Sequence, residues 1–180
     1  MWCDHKIPIL KMIDNTYFVG ILDVPNQTTE VGGVTDTSNL TALNRAIEVY
    51  QAEFMRLLVG DLYADFLKNE DGKWDDLIVR LVDSDLKISP IANYVFFKYY
   101  PQLTTPNTGV GVAYNKVENQ GIDNRRRLTE VWNDMILFLE RYDGVLDYLY
   151  DHRSDLETDL LLPDYLFFPY KDSPFTMIGL

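Results

Sequence analysis

The stretch RRRLTEVWNDMILFLERYDGVLDYLYDH, residues 125–152, decides the fold. Leu128, Val131, Met135, Phe138, Tyr142, Val145 and Leu149 recur at steps of three and four, and Trp132, Leu139 and Leu146 sit beside them and widen the stripe. Apolar residues at that period share one face of an α-helix, and a broad stripe calls for burial against other helices. At about 1.5 Å per residue the element spans on the order of 35 Å. Gly144 weakens it locally, so a bend is expected there.

Upstream, Ser89 and Pro90 make a good helix start, a hydroxyl cap followed by a residue with no amide hydrogen to satisfy. The helix they open, IANYVFFKYY (91–100), is apolar on nearly every side, with Lys98 its only charge. Such a helix is either central in its own domain or covered by a neighbouring subunit. Pro101 is expected to end it. From Pro101 to Asn124 the helical pattern disappears. LTTPNTGVGVAYNKVENQGIDN (103–124) contains the strand-like run GVGVAYNKV and reads as a surface hairpin or a loop that touches a partner.

Further upstream, Thr37, Ser38 or Asn39 can cap a helix whose Leu40, Leu43, Ile47, Tyr50, Phe54 and Leu57 recur at helical spacing, with Gly60 as its stop. DLYADFLKN (61–69) is a second short helical run. The turn EDGK leads to a third, WDDLIVRLV (74–82), with Trp74, Leu77, Ile78 and Leu81 aligned. Before these, IPILKM (7–12) and YFVGILDV (17–24) are short β-like runs, and the Thr- and Gly-rich NQTTEVGGVTDTSN (26–39) reads as a loop or arm. After His152 the chain turns acidic, then apolar and irregular. LETDLLLPDYLFFPYKDSPFTMIGL (156–180) has prolines at 163, 169 and 174 that forbid a continuous helix, yet its apolar side chains call for a cover. The fold class read from these patterns is mainly α. It is a bundle of about four to five helices with a small β-hairpin or loop insertion and extended N- and C-terminal arms.

Composition narrows the function. The chain has 180 residues, 47% of them hydrophobic, enough for one domain with a core that needs no disulfide or metal. Its 12 Tyr and 9 Phe suit half-buried surfaces, where a ring packs and a hydroxyl stays wet. A formal net charge of -12 is the wrong sign for gripping phosphate, so tight nucleic-acid binding is not expected. An acidic wall would instead let DNA pass without sticking. The start MWCDHKIPIL lacks the apolar core of a signal peptide, and no apolar run approaches the roughly 20 residues that cross a bilayer. The expected compartment is the cytosol of the producing cell, without membrane association.

Catalytic patterns are missing. Cys3 and His5 offer two zinc ligands, short of a site, and the only other histidine is His152. VGGV and TGVGV lack the Lys-Ser/Thr pair or the helix of a phosphate loop. Asp75 with Asp76, or Asp143 with Asp147, are carboxylate pairs by spacing alone, and Asp143, Asp147 and Asp151 read as a solvated acidic ridge on one helix face. Arg125, Arg126 and Arg127 form the one basic cluster, just before the long helix. Cations at a helix N-terminus are slightly unfavourable, which hints at compensation from outside. The expectation is no enzyme activity, no cofactor and no metal.

The series IANYVFFKYYPQLTTPNTGV, then a short strand, then RRRLTEVWNDMILFLERYDGVLDYLYDH, resembles head–tail connector or adaptor proteins of tailed bacteriophages. The nearest likeness is to small proteins of phages and prophages of Bacteroidetes-type bacteria. It rests on the aromatic helix ending in KYY-Pro, the TTP…GV turn, the Trp-Asn-Met helix and the terminal Ile178-Gly179-Leu180, and covers roughly residues 40–180. The resemblance implies a virion protein of the head–tail neck, assembled in the host cytoplasm. It implies a ring of copies, dodecameric in many such proteins, that binds the portal and other neck or tail proteins while DNA passes through. Residues 39–152 would be the connector domain with a 101–124 insertion, 1–38 an N-terminal arm or strand segment, and 153–180 an extended tail. The residues assigned to subunit or partner contacts are Tyr94, Phe97, Tyr100, Tyr165, Phe167, Phe168, Phe175, Met177, Ile178 and Leu180. Those assigned to a loop facing the channel or a partner are Thr105, Asn107, Tyr114, Arg125, Arg126 and Arg127. A tail-completion or terminator protein, a generic helical adaptor and, further off, a small hydrolase are the alternatives.

Overall fold

The computed structural model describes residues 11–24, 29–31, 34–104, 107–108, 111–112, 118–141 and 143–152. The chain is mainly α-helical. Its long helices are α1 (Ser38–Val59), α4 (Pro90–Thr104) and α5 (Glu118–Glu140); the short ones are α2 (Tyr63–Lys68), α3 (Asp75–Leu81) and α6 (Val145–Asp151). The aromatic helix α4 is central, packed between α1 and α5, while α6 rests on α3 and α5. Ile91, Ala92, Val95 and Phe96 have no exposed surface. Of the two readings open for this helix, burial in its own domain is the one observed. Ser89 caps it, its Oγ accepting from the Ile91 amide at 3.2 Å.

Pro101 does not end α4, which runs on to Thr104. A proline removes a single donor, and in the last turn the side chain of Gln102 adds a bond of its own, Nε2 to the Lys98 carbonyl at 3.0 Å. At the other side α5 already begins at Glu118, so the segment between helices shrinks to residues 105–117. Within it Asn107–Thr108 (β3) pairs antiparallel with Gly111–Val112 (β4). Two positions a side do not make the hairpin element expected for 101–124. Thr29–Val31 (β1) and Val34–Asp36 (β2) pair in the same way, Thr29 opposite Asp36.

The final helix is two helices. α5 stops at Glu140, Asp143 takes a positive φ of 52°, and α6 starts after Gly144. A Cβ on the buried Gly144 would collide with the carbonyl oxygen of Arg141, so the chain reverses into α6 at a spot with room only for glycine. The 35 Å rod of the sequence reading is therefore folded back, which lets Val145, Tyr148 and Leu149 reach the core.

The N-terminal segment corrects a second expectation. The β-like run expected at 17–24 is not a strand: Asn15–Tyr17 and Gly20–Leu22 are single 3₁₀ turns, the first opened by Asp14, whose Oδ1 accepts from the Thr16 amide at 2.8 Å. Ile13, Tyr17, Phe18, Leu22 and Val24 are buried in the common core. The run YFVGILDV is apolar because it is wedged among α1, α4 and α5, not because it lies in a sheet. The folded unit thus begins well before residue 39.

Candidate functional site

Of the three helix residues assigned to subunit contacts, Tyr94 is buried, while Phe97 and Tyr100 are half-buried against the core. Tyr94 is 5% exposed, and its hydroxyl donates to Glu53 Oε1 at 2.8 Å. Phe97 packs on Trp132 with ring centres 4.7 Å apart. Tyr100 stacks on Phe96 at 4.7 Å, and its hydroxyl meets Asn124 Oδ1 at 3.0 Å. Their aromatic rings serve the α1–α4–α5 packing. Lys98 Nζ lies 3.0 Å from Glu53 Oε1, over the rings of Tyr50 and Tyr94. Burial raises the Glu53 carboxyl, but the bonds from Lys98 and Tyr94 outweigh it and hold the group below its ordinary value.

The arginine cluster divides. Arg127 is a clamp: Nε donates to the Ile21 carbonyl at 2.6 Å and Nη2 to the Asp23 carbonyl at 2.7 Å. Its guanidinium also lies 4.7 Å over Phe96 and 4.8 Å over Tyr100. It ties the N-terminal segment to the bundle. Arg125 and Arg126 are exposed, but all three sit within α5 and not ahead of it, so the expected clash with a helix N-terminus is absent.

The carboxylate pairs are local structure as well. Asp75 Oδ1 accepts from Asn69 Nδ2 at 2.7 Å. Asp143 lies in the turn, outside either helix, with Oδ1 3.2 Å from Arg80 Nη2, while Asp147 Oδ2 accepts from the Asp143 amide at 2.9 Å. The expected ridge of Asp143, Asp147 and Asp151 on one helix face is broken at its first member. Among the described residues no group of three His, Cys, Asp or Glu is placed to hold a metal ion. His152, the last described residue, stacks on Tyr148 at 4.3 Å and caps α6.

The feature that sequence reasoning missed is a cleft of about 310 Å³ between the N-terminal segment, the turn before α4, and α5. Tyr17 and Leu22 line it from the first, Leu86, Lys87 and Ile88 from the second, Asp134 and Phe138 from the third. The turn is tight: Asp83 Oδ1 accepts from the Asp85 and Leu86 amides at 3.0 and 2.8 Å, Lys87 has φ 56°, and Asp83 and Ile88 exchange backbone bonds. This geometry leaves Leu86 69% and Ile88 47% exposed, and Val19 of the N-terminal segment, across the cleft, is 57% exposed. An Asp three residues ahead of an apolar position, Asp83 before Leu86 and Asp85 before Ile88 in DSDLKIS (83–89), is the signal that was present. Desolvation beside this apolar wall raises the Asp134 carboxyl, and the neighbouring Glu130 raises it further. Lys87 does not reach it in ion-pair geometry; its Nζ lies 5.0 Å over the Tyr17 ring.

Asn107 lies in β3, with only its backbone described. Thr105, Tyr114, Tyr165, Phe167, Phe168, Phe175, Met177, Ile178 and Leu180 lie outside the described residues, as do Cys3 and His5. No described helix is long and apolar enough to cross a membrane. Comparison with protein-family models, curated proteins and solved structures finds no match.

Proposed function

We propose that the chain is a structural, non-catalytic subunit of a tailed-phage neck, a head–tail connector that closes into a ring between the portal and the tail. The observation that carries this reading is that exposed apolar side chains fall in separate sets on different elements. Val49 (44% exposed) on α1 and Leu103 (38%) on α4 form one, at the end where Gln102 meets Tyr50; Val79 (73%) on α3 and Tyr150 (54%) on α6 belong to another. A ring needs two different surfaces on each copy, because every contact runs head to tail around the axis. The likeness of residues 40–180 to connector proteins and the net charge of -12 support it, since an acidic channel wall releases DNA. In this reading the partners are further copies, the portal and other neck or tail proteins, with DNA in transit only; no cofactor takes part and the site of action is the virion neck.

The test is the mass of the native particle at micromolar concentration, by light scattering coupled to gel filtration, with negative-stain images of the peak. A closed particle of many copies with a central hole is the expected result. A monomer at every concentration that also fails to bind purified portal rings overturns the proposal.

A further inference from the structure

The cleft beside α5 has two chemical requirements. Its mouth leaves Val19, Leu86 and Ile88 in water, where an apolar cover lowers the free energy by roughly 25 cal/mol per Å² removed from solvent. Beside them stands Asp134, exposed at the rim, with no described cation paired to it and with Glu130 adding negative charge nearby. A fitting occupant presents aromatic or aliphatic side chains followed at once by a single cation.

The chain contains one such segment beyond His152. Residues 165–171 read YLFFPYK, and Lys171 is the only lysine or arginine after Arg153. We infer that this segment of the same chain seats in the cleft, its aromatic side chains against Val19, Leu86 and Ile88 and Lys171 paired with Asp134. Reach is sufficient: the thirteen steps from His152 to Tyr165 extend up to about 43 Å at roughly 3.3 Å per residue. A folded unit of this size has a radius of gyration of about 15 Å, so a tether of that length reaches most of its surface. Tethering places the segment at an effective concentration of order millimolar, well above a micromolar solution of other copies. Pro163 and Pro169 restrict the backbone just before and within the run, which cuts the ordering cost of docking an extended segment. A cleft of about 310 Å³ holds one or two aromatic side chains, with the rest of the run lying over the rim. The contact exists in a single subunit and does not depend on ring formation.

Disulfide trapping in the full-length chain tests it. With Cys3→Ser as background, Leu86→Cys is paired with Phe168→Cys, and the control pair is Val79→Cys with Phe168→Cys, because Val79 is exposed on α3 and does not line the cleft. Under mild oxidation at low micromolar protein, the cleft pair should form an intrachain disulfide roughly tenfold faster than the control or better. Lys171→Glu and Asp134→Lys should each slow it several-fold, and the two together should restore it. Equal rates for the two pairs overturn the inference, as does indifference to both charge reversals. A product made only of disulfide-linked dimers also overturns it and gives the cleft to another copy's tail. Ring formation is read separately from particle mass, so either proposal can fail while the other stands.

Discussion

Arg127 reaches back more than a hundred residues in sequence to hold two carbonyl groups of the N-terminal segment, while its neighbour Arg126 is exposed. Arg127→Ala should lower stability by about 2 kcal/mol, since hydrogen bonds from a charged donor carry roughly that much, and Arg126→Ala should stay within about 0.5 kcal/mol. Urea denaturation of the two variants checks the contrast. Gln51 plays the matching part on α1: only 3% exposed, its Oε1 accepts from the amides of Met12 and Ile13 at 3.0 and 3.2 Å. In sequence the RRR run looks like a surface patch and Gln51 like a break in an apolar stripe, because the carbonyls and amides they serve lie on a distant segment. Glu53 adds a pH dependence. Its folded value lies below the ordinary 4.5, so its contribution is complete above about that pH and fades as pH falls through the lower folded value. Glu53→Gln should therefore cost under about 1 kcal/mol at pH 7, given a half-exposed pair, and less at pH 3. Denaturation midpoints of both proteins at the two pH values read this out.

At the scale of elements, helix starts and apolar faces were legible and helix ends less so. Ser89-Pro90 opens α4 as its residue types require. The stripe on α1 was read one step off: Tyr50 and Leu57 are on the rim, while Gln51, Met55 and Leu58 turn inward. That rotation is set by where α4 and the N-terminal segment lie, which periodicity alone does not encode. The turn at 141–144 is the element with most leverage, since it sends α6 back onto α3. Gly144→Ala should destabilise by about 1–3 kcal/mol through the clash with the Arg141 carbonyl. Thermal unfolding followed by circular dichroism should show a lower midpoint with helix content at low temperature unchanged.

For the whole molecule, charge decides how it meets DNA. A net charge of -12 leaves few counterions to release from a phosphate backbone, so duplex DNA should not be retained even at low salt. Salt-dependent binding that Arg125→Ala and Arg126→Ala abolish would contradict that expectation; filter binding at about 50 and 200 mM salt decides it. The sequence by itself determined the mainly α-helical class, the apolar character of the helix at 91–100 and the acidic charge, because these follow from local periodicity and from summed charge. Only the tertiary structure decided that the long stripe at 125–152 folds into two helices, that residues 11–24 belong to the core, and that Val19, Leu86, Ile88 and Asp134 meet in one cleft. Each of those depends on contacts between segments far apart in the chain. Their free energy comes from which surfaces face each other, a quantity no local pattern of residues contains.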